Sequence, residues 1–433
     1  MSNVAKRILI ASLGTRGDVQ PYVALANALV QQGAEVTLST GEGFEDMIEQ
    51  TGAKARSLPI NYQTLLQSEE IQEALFSLKG KLRAAKQNLA LQKELTRCLW
   101  SITLDEQPDL ILFNLKATVV TLAARRLGVP ALPTALQPVT APTAEFPLPL
   151  FGIPNLGAYF NRKSYLAGRF LMKAGLASLI KPIKPEAEAE FGMSGALMDG
   201  HWPSGGMAPA LQAFSRALVP TPEDWGDENI ACGYWLTEPD AAYQPPADLQ
   251  QFLKDGKAPV YLGFGSMPSQ DPEKLTATVL ESLENTRQRA VLATGWGGLV
   301  KEKLSSEMAD RLFLIDKAPH SWLFPRCSAV VHHGGAGTTH EALRWGKPSL
   351  ICPVFGDQPF WGSRVHKIGA GPAPLPQKKL TPEQLTAALK ALENPKYQIG
   401  AEKAAETMSK EPGSAGTAKM LIGILKTGQK APS

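Results

Sequence analysis

Long hydrophobic runs are missing from this chain. No stretch approaches eighteen apolar residues, so the sequence offers no membrane-spanning helix. Cysteine is scarce: Cys98, Cys232, Cys327 and Cys352 are scattered with no Cys-x-x-Cys spacing. That excludes a disulfide framework and fits a reduced cytoplasm. No histidine precedes His201, the first of six. The dinucleotide fingerprint GxGxxG, the Walker sequence GxxxxGK[ST] and the hydrolase elbow GxSxG are all absent. An Asp-x-Asp pair is absent too. Neither sign of charge dominates, since 44 basic residues face 41 acidic ones for a net +3. Such a balance gives no reason to expect a nucleic-acid partner.

The chain has 433 residues, 44% of them hydrophobic, enough for two or three domains with real cores. The opening "MSNVAKRILIASLG" reads as a first strand, Arg7–Ser12, rather than a signal peptide, because Gly14, Arg16 and Asp18 break the apolar run. "GTRGDVQP" is then a loop, with Pro21 favoured at a helix start, and "YVALANALVQQG" a helix stopped at Gly33. "EVTLST" and "DLILFN" (Asp109–Asn114) are further strands, and "TVVTLAARRLG" a helix ending at Gly128. From Ala131 to about Pro209 Pro, Gly and aromatics accumulate, as in loops and short helices lining an apolar cavity. Within it, "KSYLAGRFLMKAGLASLIK" is amphipathic and basic, fitting either a domain-covering helix or a peripheral membrane contact. Strand candidates restart with "PVYLGFG", "RAVLAT", "LFLI", "AVVHH" and "PSLICPV". The alternation predicts two doubly wound α/β domains, 1–230 and 231–410, then a C-terminal helix within 411–433 that packs back on the first domain, and a polar tail.

Ligands in such sheets bind beyond the carboxyl ends of the strands, so the strand-end loops carry the chemistry. "AVVHHGGAGTTHEALRWG" (Ala329–Gly346) is the richest. Gly334, Gly335, Ala336 and Gly337 form a small-residue connection, with a helix expected from about Thr338. Its free N–H groups and about half a positive charge favour a phosphate. A zincin needs His-Glu-x-x-His, but "HEALR" puts Arg344 where the second ligand should be. His332 and His333 are adjacent, so strand geometry points them to opposite faces. No metal site is expected. A glycine-rich packing turn with core histidines is the plain alternative. Glu341 suits the two hydroxyls of a ribose, or else the helix dipole alone. Asp357 and Gln358 in "VFGDQPFWG" suit sugar hydroxyls, or else a turn. Ser266 in "GFGSMPS" and Ala318 and His320 in "DKAPHSWLFP" complete four such loops.

These stretches, with "GTRGDVQPYVALA" and "LVPTPEDWG", resemble UDP-sugar-dependent glycosyltransferases of the GT-B fold, especially sterol 3-beta-glucosyltransferases, with antibiotic and macrolide glycosyltransferases as relatives. The resemblance implies two Rossmann-like domains facing a central cleft and an inverting transfer from a UDP-sugar co-substrate with no cofactor. It further implies Ala318 and His320 at the uracil and His333, Gly335, Ala336, Gly337, Thr338 and Thr339 at the diphosphate with Ser266 nearby. Glu341 would take the ribose, Asp357 and Gln358 the sugar. Thr15 and Arg16 would also touch the donor. Two departures are visible: Ala336 stands where sterol enzymes usually carry Ser, and Glu341 is more typical of the broader family. Many relatives use a first-loop histidine as base. Here Asp18 is the carboxylate of that loop, and the sterol and glycopeptide branch implies it as the base; a helix cap is its other reading. The expected protein is a cytoplasmic monomer, able to contact a membrane surface, moving glucose from UDP-glucose to a hydroxyl of a lipophilic acceptor. A sterol or similar polycycle is favoured. Rival readings are a natural-product glycosyltransferase using a UDP- or dTDP-sugar, a nucleotide-sugar epimerase or hydrolase, and a non-catalytic donor-binding protein.

Overall fold

The computed structural model describes residues 5–67, 78–191, 197–239, 242–265, 271–294 and 306–429. Two all-parallel sheets organise it. The first runs β3-β2-β1-β4-β5-β6-β7, with β1 Arg7–Ala11, β2 Glu35–Gly41, β3 Lys54–Leu58, β4 Leu110–Phe113, β5 Ala131–Ala135, β6 Ala210–Gln212 and β7 Asn229–Ala231. The second runs β10-β9-β8-β11-β12, with β8 Val260–Gly263, β9 Ala290–Ala293, β10 Leu312–Ile315, β11 Ala329–His332 and β12 Ser349–Ile351. Their central strands are unbroken apolar runs buried on both faces, as a parallel sheet covered by helices requires. Seven helices position the site and its surroundings: α1 Arg16–Gln31, α2 Leu78–Glu106, α3 Val120–Leu127, α4 Ala158–Leu179, α5 Pro272–Thr286, α6 Ala336–Arg344 and α7 Gln358–Lys367. Two more, α8 Pro395–Ser409 and α9 Gly413–Thr427, close the chain.

The strand order turns back between β1 and β4 in the first sheet and between β8 and β11 in the second. At each place the loops from neighbouring strands leave in opposite directions and open a crevice. "GTRGD" follows β1 and "NLKA" follows β4 in one crevice. Gly265 after β8 and the glycine turn after β11 line the other.

Helix α1 corrects the expected start at Pro21. It begins five residues earlier, at Arg16, because Thr15 and Asp18 form a capping box that pairs the backbone there. Pro21 lies inside the helix, where its missing N–H falls beside Gly17. The 131–180 region lines a cavity in part, with Pro133, Thr140, Ala141, Pro142 and Arg169 bordering one beside Met198 and Trp225. It also holds the 22-residue helix α4, on which Tyr159, Phe160, Leu166, Phe170 and Leu171 stand in solvent. Strands β3, β6 and β7 escape the sequence pattern because two of them are three residues long and β3 is only partly buried.

The lobes share a core at the base of the cleft. Tyr22 of α1 meets Trp235 edge-on at 5.4 Å, and α9 packs along α1. Trp235 Nε1 donates to Thr417 Oγ1 at 3.1 Å. His340 of α6 is fully buried between the lobes. Its Nε2 accepts from the Ser215 backbone N–H at 3.1 Å, and its Nδ1 lies 2.7 Å from the Ala336 carbonyl, to which it donates. Tyr234 stacks on the ring at 4.1 Å. Both nitrogens are satisfied only by the neutral tautomer, and burial holds the pKa down at about 4.

Because the unfolded histidine titrates near 6.5 and the folded one near 4, the unfolded chain takes up this proton first. The stability tied to His340 is therefore present above pH 6.5 and lost as pH falls from there toward 4. His340→Gln, which can still accept from Ser215, should fall less steeply between pH 7 and pH 5 by about 1–2 kcal/mol. Urea unfolding at the two pH values checks this; parallel curves would show that His340 does not carry the dependence.

Candidate active site

The second crevice is built around the turn from β11 into α6. Gly334 has φ +95°, and a Cβ there would strike the Ile351 side chain at 2.5 Å and the Gln358 carbonyl at 3.1 Å. Only glycine fits both restraints. Gly335 is the N-cap of α6, which starts at Ala336, two residues before the sequence placed it. The first helical donor with an internal partner is Thr339, whose N–H reaches the Gly335 carbonyl at 3.0 Å. The N–H groups of Ala336, Gly337 and Thr338 thus lie at an open helix start. Thr339 itself is fully buried, and its hydroxyl donates back to Gly335 at 2.9 Å. It holds the turn and does not face the cleft.

His333 lies flat between two glycine backbones. A Cβ on Gly335 would come within 2.6 Å of its Nε2, and one on Gly265 within 3.0 Å of its Cε1. Its Nδ1 is buried with no hydrogen-bond partner among the described residues. Burial pushes its pKa down to about 4, so the ring is neutral and keeps one nitrogen unfilled. His332 behaves differently. It is buried in the core, its Nδ1 accepts from Gly334 N–H at 3.1 Å, and the two rings are nearly perpendicular. His320 stacks on Phe324 at 4.3 Å, with Tyr261 Oη 3.4 Å from its Nε2. Its pKa is held near 4, first by burial and then by the charge of Arg16 from the opposite lobe. Ala318 is half-buried in the same loop. Ser266 lies outside the described residues.

Glu341 is buried, and its Oε1 accepts from Trp345 Nε1 at 2.7 Å. Among the described residues its Oε2 has only a loose contact, 4.0 Å to Arg344, whose guanidinium is engaged by Thr237 and Glu238. Burial raises the Glu341 pKa. At the start of α7, Asp357 Oδ2 accepts from Trp361 Nε1 at 2.7 Å. Burial raises the Asp357 pKa as well, and Asp18 adds to the rise through its charge. Gln358 is buried with Oε1 committed to the N–H groups of Val354 and Phe355, at 2.7 and 3.2 Å. Its amide nitrogen alone is left for a ligand.

Across the cleft, Asp18 is a quarter exposed and held from both sides. Oδ2 accepts from Thr15 N–H at 3.0 Å, and Oδ1 pairs with Lys116 Nζ at 3.0 Å. Gly14, at φ +144°, makes room for it: a Cβ there would fall 2.1 Å from Asp18 Oδ2. Thr15 is half-buried and Arg16 exposed. The charge of Asp18 reaches both Asp357 and Tyr234, so the "GTRGD" loop and the second lobe front one space. Three residues of this space were not found from the sequence. Lys116 follows β4, and inspection of every strand-end loop could have flagged it. Gln137 reaches from beyond β5 to hydrogen-bond Asp357. Tyr234, buried above Gly337, has a hydroxyl without a partner among the described residues.

Known proteins share this frame. Residues 8–134 match the family described as the glycosyltransferase family 28 N-terminal domain. Residues 299–424 match the erythromycin biosynthesis protein CIII-like C-terminal domain. The solved glycotransferase of kitacinnamycin aligns with 97% of this chain and 99% of its own at TM-score 0.68 and 18% identity. CalG4, the calicheamicin glycosyltransferase, aligns with 98% and 99% at TM-score 0.68 and 18% identity. The chain has the GT-B fold. In sequence it is homologous to sterol 3-beta-glucosyltransferases. UGT80A2 of Arabidopsis thaliana is 35% identical over 95% of this chain and 64% of its own length. UGT80B1 of the same plant is 33% identical over 94% and 66%, and the Aspergillus clavatus enzyme 30% over 88% and 27%. The chain thus spans less than two thirds of each of these relatives.

In this GT-B frame the β11–α6 turn depends on its missing side chains. Gly335→Ala, which drives a methyl into His333, should weaken binding of a nucleoside diphosphate about tenfold or more, in line with the loss of one charged hydrogen bond. Calorimetric titration with UDP reads the change. An unaltered Kd would remove this turn from the ligand site.

Proposed function

We propose that this chain transfers glucose from UDP-glucose to a hydroxyl of a lipophilic acceptor, a sterol or similar polycycle, with inversion at the anomeric carbon. The observation that carries the reading is the facing pair of crevices. A glycine-lined helix start with the unfilled His333 nitrogen stands on one side, and an oriented Asp18 carboxylate on the other. The relatives named sterol 3-beta-glucosyltransferases support the sugar and the acceptor class.

In this mechanism UDP lies against Ala336, Gly337 and Thr338 N–H, with His333 donating to a phosphate oxygen. Glu341 Oε2 takes a ribose hydroxyl, and Ala318 and His320 border the base. Asp357 and the Gln358 amide hold the sugar, with Thr15 and Arg16 closing from the other lobe and Ser266 beside the phosphates. The acceptor oxygen bonds to the anomeric carbon from the face away from UDP. Its proton passes to an Asp18 oxygen as the bond from carbon to phosphate oxygen breaks. The leaving charge settles on the helix start, where oriented N–H groups stabilise it without reorganisation. Thr15 and Lys116 fix the direction in which Asp18 points. The four unpaired cysteines suit the cytoplasm, and we read the protein as a monomer needing no cofactor.

A natural-product acceptor with a dTDP-sugar is the second reading. It is favoured by the fold neighbour VinC, solved in complex with dTDP and aligned with 97% of this chain and 99% of its own at TM-score 0.62 and 19% identity.

Product mass and UDP release, measured with UDP-glucose and sterol, flavonoid and macrolide acceptors, separate these readings. Release without any acceptor would indicate a hydrolase. Asp18→Asn should keep UDP affinity and lower transfer by about 10²–10⁴-fold, the usual worth of a general base. Gly14→Ala, which displaces the carboxylate, should lower it in the same direction. Normal transfer by Asp18→Asn would leave the aspartate as a helix cap and no more.

A further inference from the structure

Helix α4 is inside out. Its buried residues are Asn161, Ser164, Tyr165 and Gly168. They are not idle: Asn161 Nδ2 donates to the Ala144 carbonyl at 2.7 Å, Ser164 Oγ accepts from Leu148 N–H at 2.7 Å, and Tyr165 Oη donates to the Pro138 carbonyl at 3.0 Å. Gly168 lies against Leu148, where a Cβ would come within 2.5 Å. The helix is therefore seated by polar bonds on one side. The opposite side presents Tyr159, Phe160, Leu166, Phe170 and Leu171, each more than half exposed and Phe170 73% exposed. At 100° per residue these five fall within one arc of the helix. The loop leading in adds Leu150, Ile153 and Leu156. Nine of the twelve large hydrophobic side chains exposed among the described residues lie between positions 150 and 171. A contiguous patch of this kind marks a binding surface rather than scatter.

Charge names the partner. Residues 158–184 carry six lysines and arginines and no acidic residue. Arg162 and Arg169 are paired with Asp224 and Asp199. Lys163 lies in the middle of the apolar arc, over the Tyr159 ring at 5.3 Å, and Lys173 lies at its edge. An apolar stripe with lysines within it and at its edge, and no acidic residue, is a pattern that seats in the headgroup region of an anionic bilayer. No helix of the described residues is long and apolar enough to cross a membrane, so the contact is with one leaflet. We propose that the 150–171 face of the first lobe docks on an anionic lipid bilayer. The chain just upstream of the patch reaches the second lobe: Phe146, itself buried, packs on Phe360 of α7 at 5.4 Å. A docked molecule would thus hold its cleft mouth near the lipid from which a lipophilic acceptor leaves. The docking itself does not depend on the proposed transfer reaction.

The test is sedimentation of the full chain with vesicles of phosphatidylcholine and phosphatidylserine, about 7:3, and with phosphatidylcholine alone, at low and high salt. The wild-type protein should pellet with the anionic vesicles and be released by salt. Phe170→Ser with Leu171→Ser should lower partitioning at least tenfold. Lys163→Glu with Lys173→Glu should lower it on anionic vesicles by more than tenfold, about fivefold for each lysine removed. Melting temperature and UDP affinity should be unchanged in both variants, which separates lost docking from misfolding and from failure of the donor-site reading. Failure of the wild type to pellet with either vesicle overturns the proposal. So does equal pelleting of wild type and the Phe170/Leu171 variant. A wild-type dimer on gel filtration that the serine variant splits, without vesicle binding, would assign the face to a second copy and overturn it as well.

Discussion

Everything at the candidate site follows from one topological constraint. A parallel sheet whose order turns back on itself must send neighbouring loops apart, and the gap this leaves cannot be filled by the sheet's own helices. This chain makes that turn twice, at β1/β4 and at β8/β11. The first gap receives Asp18 and Lys116; the second receives His333 and the start of α6. Neither loop pair forms a site by itself. Arg16 acts on His320 and Asp18 on Asp357 only because the two gaps front each other.

Neutral histidines do much of the joining. His320, His332, His333 and His340 are all held in the uncharged form by burial. Their tasks differ. His332 ties down the glycine turn through Nδ1, His340 bolts α6 to the backbone of the first lobe, and His333 keeps an unpaired Nδ1 beside the helix start. These rings act as aromatic spacers with directional hydrogen bonds. Among the described residues two of these rings keep a buried nitrogen without a partner, His332 Nε2 in the core and His333 Nδ1 beside the helix start; the second lies where a ligand can offset the cost.

Much of this was legible in the sequence where local pattern and global fold agree. The β11–α6 turn could be read because an apolar strand, a run of small residues and a helical period follow one another within a few positions. The two doubly wound domains could be read from the alternation of such units, and the GT-B architecture from the family resemblance that the strand-end motifs carry. What escaped had tertiary causes. Pro21 looked like a helix start, yet the Thr15–Asp18 box set the boundary earlier. Thr339 and Gln358 looked like ligand contacts, but the backbone claimed the Thr339 hydroxyl and the Gln358 oxygen. Gln137 and Tyr234 carry no local signal at all, since they matter only through what the other lobe brings to them. Helix α4 had the expected amphipathic period, but the period does not say which face is turned inward.

The closing helix has a mechanical consequence. The chain passes between the lobes twice, once after β7 and once before α9, and the two passages are stitched together where Gly413 N–H meets the Cys232 carbonyl at 2.8 Å. Two strands of chain crossing side by side form a pin. Sliding the lobes or pulling them apart strains both passages at once. The pin at Cys232 and Gly413, with the Trp235–Thr417 bond beside it, thereby fixes the register of the facing pairs across the cleft.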